Sequence, residues 1–465
     1  MSSAPPERPV FEDSDVRAAI EYARAHLECA RGDRHIPGLS AAFVCEGETV
    51  WSGGFGYADA ETQRPADADT VYPLASITKV VTCTAMMCLR DAGKLQLDDP
   101  LARHLPGLGI ENPFPEAHAP TLRQIASHTA GFQRETPFDC WETFVFPGID
   151  ELLESLPRCQ MIVPPLTEDK YSNLAFALLG HALSLVAGRP YDEYVRDTIL
   201  SPLGMSSSSY APTGEAATRL ATLYPWADDE GPGKAGAEMK LGCFGPVGGL
   251  HSTASDLSRF AALHLGHPPT GGEGVLSQAS VKEMQTLQWL SADWQSGRGI
   301  GWHIDRVSGK QSVGHSGGLP GLSTHLQLVP EAGLAVAVLT NGRGAAAEVC
   351  RETVEILVPP VGRALKRRKP KEPDEAPEEW QRYVGRYQST MGKLVVQVLI
   401  LDGKLLARDV GGSLGDAIRL TPKAEHVFTM ESGGSKGEPA AFELDEQGNV
   451  VKMKMGGYPF HRKLD

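Results

Sequence analysis

Residues 13–31 place Val16, Ile20, Ala23 and Leu27 at three- and four-residue steps, which predicts a helix with one buried stripe. The pattern then changes. Residues 39–45 and 49–57 flank a Glu46-Gly47-Glu48 turn and predict a strand pair. Residues 80–89 are apolar on nearly every face, as in a buried helix, and Gly93 supplies the stop. From about Lys94 to about Leu241 the pattern is helical and loop-like, and its clearest helix is 174–186, closed by Gly188. Strand character returns at 299–305 and 311–315. A hairpin of 323–329 and 334–340 follows, turning at Pro330-Glu331-Ala332-Gly333. A helix over 345–357 should stop at Pro359-Pro360. Strands at both ends with helices between them predict an α+β domain. One antiparallel sheet is flanked by helices, with a helical subdomain beside it.

After this the pattern changes again. Residues 363–379 carry Lys366-Arg367-Arg368-Lys369-Pro370-Lys371, then Asp374-Glu375 and Glu378-Glu379, and read as an exposed charged linker. Residues 380–465 are strand-like. Val396, Val398 and Ile400 alternate before Asp402-Gly403, and Val451, Met453 and Met455 alternate after Gly448-Asn449. A small antiparallel β-barrel or sandwich is expected. The divisions are a flexible N-terminus 1–12, a main domain 13–362, the linker 363–379 and the β domain 380–465.

Composition adds exclusions. The 465 residues carry a net charge of −14, and no basic domain balances it, so nucleic acid is not an expected partner. Eight cysteines lack paired metal spacing, and several sit in apolar runs, which suits a reducing compartment. The N-terminus has no apolar core of a signal peptide and no stretch reaches the length of a membrane span, so a cytoplasmic location is expected.

Ser76-Ile77-Thr78-Lys79 is the chain's one Ser-x-x-Lys, at the start of the predicted buried helix. Three-residue spacing puts both side chains on one helical face, a nucleophile beside a base. Chance alone supplies about one such motif in a chain of this length, and serine is a common helix cap. Further residues change that balance. Tyr171-Ser172-Asn173 opens the helix over 174–186, and in an extended segment Tyr171 and Asn173 share a side. A phenol beside a lysine ammonium would share its proton with it. The bland alternative is a cap by Asn173 and a core tyrosine. His315-Ser316-Gly317-Gly318 lies on a strand whose glycines permit close approach. The amides of Gly318 and Ser76 are candidate oxyanion donors. Read blandly, the segment is a Gly-rich turn.

In order, these residues resemble the serine β-lactamase and penicillin-binding-protein superfamily, in its class C-like branch. Phe55-Gly56-Tyr57-Ala58-Asp59, residues 121–131 (Thr-Leu-Arg-Gln-Ile-Ala-Ser-His-Thr-Ala-Gly) and residues 246–257 (from Pro246-Val247-Gly248-Gly249-Leu250 to Asp256-Leu257) match further family segments. The resemblance implies Ser76 as acylated nucleophile, Lys79 as its proton acceptor and Tyr171 as general base and acid. It also implies Asn173 on the substrate amide, His315 heading the third motif with Gly317 and Gly318, and no metal or organic cofactor. β-Lactamases usually have lysine where this chain has His315. The His-x-Gly form resembles esterases, D-aminopeptidases and LACTB-type peptidases, so weak or no β-lactamase activity is expected. The phrase Tyr383-Val384-Gly385-Arg386-Tyr387 resembles a C-terminal lipocalin-like module, which could wall the active-site cleft. The expected substrate is a small ester, amide or short peptide, with homo-oligomers allowed. The alternatives are an acyltransferase or peptide cyclase, and a non-catalytic scaffold on the same fold.

Overall fold

The computed structural model describes residues 9–225, 239–342, 344–368, 376–390, 392, 394–411 and 413–463. Its contacts divide the chain into two compact units, 1–368 and 369–465.

Among the described residues of the first unit, nine strands form one antiparallel sheet in the order β3-β2-β1-β11-β10-β9-β8-β7-β6. The N-terminal part supplies β1 (Gly38–Cys45), β2 (Glu48–Asp59) and β3 (Arg64–Pro65). A separate two-stranded ribbon joins β4 (Tyr72–Pro73) to β5 (His251–Ser252). The late strands are β6 (Trp289–Leu290), β7 (Gly297–Arg298), β8 (His303–Val307), β9 (Lys310–Leu319), β10 (Leu322–Val329) and β11 (Leu334–Thr340). Pairing of β1 with β11, from Leu39 opposite Thr340 to Cys45 opposite Leu334, joins the two ends of the domain as expected. The segment expected as one strand over 299–305 is broken. Gly301 takes a positive φ of 78°, and the Gly299 N–H donates to the Trp302 carbonyl, so β7 and β8 form a tight hairpin.

Every residue of β1 and of β11 is buried. Both faces of the sheet are covered, so alternate residues serve different cores and the strands read as continuous apolar runs. Leu39, Ala41 and Phe43 share a core with α1 (Ser14–Asp33) and the last helix of this unit, while Ala42 and Val44 belong to the core that holds α2 (Thr78–Asp91) and its neighbours. The neighbours used below are α3 (Asn173–Ala187), the short α4 (Gly245–Gly248) and α5 (Ala254–His264).

That last helix, α6 (Ala346–Arg368), contains Pro359 and Pro360 instead of stopping there. Each proline costs a backbone hydrogen bond. Packing outweighs the loss, because Val358, Pro360, Val361 and Ala364 are buried against the α1 side of the sheet. Its end is also held by charge. Arg367 donates to Asp13 and Asp15, and Arg368 pairs with Glu46, so this part of the basic run is a clamp and not a solvated tether. Lys369 to Glu375 lie outside the described residues. Of the stretch expected to be flexible, residues 1–8 lie outside them too, while Val10–Glu12 form a 3₁₀ turn with Val10 buried.

In the second unit, eight described strands close an antiparallel barrel in sequence order. They are β12 (Gly385–Ser389), β13 (Val395–Leu401), β14 (Lys404–Asp409), β15 (Ile418–Ala424), β16 (Val427–Met430), β17 (Pro439–Leu444), β18 (Val450–Met455) and β19 (Tyr458–Arg462). Closure is made by β19 on β12, with Arg462 opposite Tyr387. Val398, Leu405, Phe428, Phe442, Met453 and Phe460 fill it. Val451 points outward, against the expected alternation, and Val450 points in. A bulge opposite Glu443 and Leu444 shifts the register there.

No described helix is long and apolar enough to cross a membrane. All eight cysteines are free thiols, and Cys29 on α1 is the exposed one.

Candidate active site

Ser76 sits in the middle of a 3₁₀ turn, Ala75–Ile77, that runs directly into α2. It caps nothing; no side-chain cap bond is made at either helix start. The residue before it, Ala75, has φ +48°, a left-handed conformation that costs a non-glycine residue of order 1–3 kcal/mol. The surroundings impose it. The Leu74 N–H donates to the Leu250 carbonyl at 2.7 Å, and the Leu74 carbonyl accepts from Thr324 Oγ1 of β10 at 2.9 Å.

One turn on, Lys79 is fully buried. Its Nζ lies 3.1 Å from Ser76 Oγ and donates to the Val247 carbonyl of α4 at 3.0 Å. Nζ lies 5.0 Å from the Tyr171 ring centroid and 5.7 Å from that of Phe176. No carboxylate pairs with Lys79 among the described residues. Burial pulls its pKa below the ordinary lysine range, opposed by the Tyr171 phenol and, further off, by Glu135.

Tyr171 precedes α3, whose cap is Ser172: its hydroxyl accepts from the Ala175 N–H at 3.0 Å. Asn173 is therefore not the cap. Its Nδ2 donates to Glu135 at 2.7 Å, and its Oδ1 is buried without a partner. The strand bearing the third motif is paired with β8 only from Lys310 to Gly314, so from His315 onward that edge of β9 carries no described strand. A Cβ on Gly317 would lie 2.1 Å from the Leu74 carbonyl oxygen, whereas one on Gly318 would meet nothing within 4 Å. Gly317 thus lets β9 close onto the Ser76 turn, and Gly318 faces open space.

His315 is buried, and burial drops its pKa to about 3. Its Nδ1 lies 2.8 Å from the Ser316 carbonyl, which can only accept, so the neutral ring carries its proton on Nδ1. Nε2 is then a lone-pair acceptor. Tyr171 and His315 line one cavity of about 430 Å³ with Arg134, Arg298, His303 and His325. Each arginine has its own carboxylate, Arg298 with Asp169 at 2.7 Å and Arg134 with Glu135 at 3.2 Å.

The structure also assigns places to residues for which sequence reasoning named no role. His128 stacks on Tyr171 with centroids 4.1 Å apart, and its Nδ1 accepts from the Ser172 N–H at 3.3 Å. A backbone N–H can only donate, so this ring too is neutral, as burial dictates. His128 and Val247 fall inside the family segments quoted above, and those segments were the available signal. Arg134 and Arg298 lie in no motif.

The β-lactamase family profile matches residues 23–358. The chain belongs to the β-lactamase family. The family includes serine hydrolases, β-lactamases and carboxypeptidases among them. "Penicillin-binding protein 4" of Amycolatopsis lactamdurans is 30% identical over 330 residues, covering 68% of this chain and 84% of that one. The "D-alanyl-D-alanine-carboxypeptidase/endopeptidase" of Escherichia coli (strain K12) is 27% identical over 288 residues, covering 59% and 71%. Among solved structures, the octameric penicillin-binding protein homologue from Pyrococcus abyssi superimposes with a TM-score of 0.63 at 22% identity. It covers 95% of this chain and 99% of its own, so the fold likeness includes the barrel.

Proposed function

We propose that this β-lactamase family member is a serine hydrolase of esterase or peptidase type, working through an acyl-enzyme on Ser76. The observation that carries the reading is the Lys79 amine, buried with no carboxylate partner among the described residues and 3.1 Å from Ser76 Oγ. Desolvation favours the neutral amine, which can accept the Ser76 proton as Oγ bonds to the substrate carbonyl carbon. The carbonyl electron pair moves to oxygen, where the N–H groups of Ser76 and Gly318 are the proposed donors. When the tetrahedral adduct collapses, the C–O or C–N bond to the leaving group breaks. Tyr171 passes that group a proton, replaced from Lys79. Water then attacks the ester carbon, Ser76 regains its proton, and the acid product departs. Asn173, with an unpartnered buried amide oxygen, is suited to an amide N–H of the substrate.

The neutral His315 supports an ester or amide substrate over a penicillin, since its Nε2 offers an acceptor where a carboxylate would need a cation. A second reading has one observation in its favour. Arg134 and Arg298 line the cavity and would receive a substrate carboxylate if they left Glu135 and Asp169.

Turnover of p-nitrophenyl esters, D- and L-amino-acid anilides and a chromogenic cephalosporin, beside Ser76→Ala, tests both readings. Esters or anilides should be turned over, the cephalosporin poorly, and a fluorophosphonate should label Ser76. No turnover with Ser76 unlabelled would refute the catalytic reading. A strong preference for the cephalosporin would overturn the reading of His315.

A further inference from the structure

A second cavity, of about 420 Å³, shares no lining residue with the first. Its walls come from α3, α4 and the segments bearing Tyr191 and Tyr210. The two tyrosine rings stand edge to face, with centroids 5.4 Å apart at 72°. Their hydroxyls begin a hydrogen-bond chain: Tyr210 to Tyr191 at 3.0 Å, Tyr191 to Thr82 Oγ1 at 2.7 Å, and Thr82 Oγ1 to the Pro246 carbonyl at 2.6 Å.

The end of that chain fixes its direction. Thr82 Oγ1 also lies 3.1 Å from the Thr78 carbonyl, and carbonyls only accept, so its single proton goes to a carbonyl. Thr82 must then accept from Tyr191, and Tyr191 from Tyr210. Every hydroxyl proton is used inside the protein, and the Tyr210 oxygen is left with free lone pairs. Burial holds both phenols protonated well beyond neutral pH, so the count does not change. The remaining charge at the cavity is the Asp192 carboxylate. The nearby Arg189 and Arg196 both pair with Asp197, and among the described residues no lysine or arginine lines the cavity. His181 on the wall is kept neutral by burial. The cavity therefore offers two tyrosine rings, acceptors at Tyr210 and Asp192 and, among the described residues, no cation.

The geometry points to a second ligand site here, separate from Ser76, for a small organic ammonium with an apolar body. Its N–H groups donate to Tyr210 and Asp192, and its body lies against the phenol faces. The site shares α4 with the catalytic residues, since Pro246 ends the hydroxyl chain and the Val247 carbonyl holds Lys79.

Calorimetric titration of the full chain with 2-phenylethylamine tests the proposal, with phenylacetate as the anionic comparator. Variants Tyr210→Phe, Asp192→Asn and Arg298→Ala are titrated in parallel. The expected result is saturable amine binding to the wild type and to Arg298→Ala alike, no binding of phenylacetate, and at least tenfold weaker amine binding in the other two variants. Asp192 is exposed, so its variant remains informative if Tyr210→Phe fails to fold. Absence of amine binding, binding indifferent to Tyr210 and Asp192, loss in Arg298→Ala, or preference for phenylacetate each overturns it. None of these readouts uses catalysis, so failure of the hydrolase reading leaves the test intact.

Discussion

A methyl group at Gly317 would collide with the Leu74 carbonyl and with Thr324 Oγ1, 2.1 and 2.2 Å away, while one at Gly318 would enter empty space. Neighbouring glycines are therefore expected to behave differently. Gly317→Ala should push β9 from the Ser76 turn and lower kcat/KM by about 100-fold, the scale of a 1 Å misplacement of reacting groups. Gly318→Ala should stay within a few-fold of wild type in the same ester assay. Lys79 makes a second contrast. Its proton must be absent for it to act as a base, so kcat/KM should rise with pH through a value below the ordinary lysine range. Lys79→Arg, which cannot deprotonate, should lose ~10²–10⁴-fold at every pH; near wild-type activity in that variant would remove Lys79 from the mechanism. Ser76 and Lys79 were legible in the sequence because one helical turn relates them. The Val247 carbonyl partner and Arg298 were not, because they reach the site from distant positions through main-chain or tertiary geometry that no local spacing encodes.

Ser172 illustrates how an element fixes a residue. Its hydroxyl accepts from Ala175 N–H and donates to the Gln133 carbonyl, tying the start of α3 to the segment below it. Ser172→Ala should cost about 1 kcal/mol in denaturant unfolding, as lost caps do. It should also reduce activity, because Tyr171 is the adjoining residue; full activity with lost stability would mean that Tyr171 is held by His128 alone. Element boundaries were least legible where packing opposes propensity. Pro359-Pro360 signals a helix end by its chemistry, yet α6 continues to Arg368 because its apolar side and its arginines find partners far off in sequence. The broken strand at Gly299–Trp302 and the bulge that turns Val451 outward have the same origin, in backbone geometry set by neighbours. The paired ends of the sheet were readable as short apolar runs bounded by turn residues, and the barrel from period-two runs between turns.

Across the whole molecule, buried neutral histidines set the response to acid. Burial lowers His264 and His315 to about 3 and His325 to about 4, with His128 also well below its usual range. In the unfolded chain these rings titrate near 6.5. As pH falls below that value the unfolded state takes up protons that the native state refuses, so stability is lost progressively toward about pH 3. Tm should be flat near pH 7–8 and decline steadily below about 6; a constant Tm down to pH 4 would contradict these burial assignments. The thiols carry a different consequence. Burial pushes Cys45, Cys88 and Cys243 up to about 12 and raises Cys83, Cys140, Cys159 and Cys350 as well, while Cys29 stands exposed on α1. A thiolate is the reactive species, so the folded chain offers an alkylating dye one ready target. Cys29 is thus a natural single attachment point for a fluorophore, and the later appearance of the other seven thiols clocks the opening of the core.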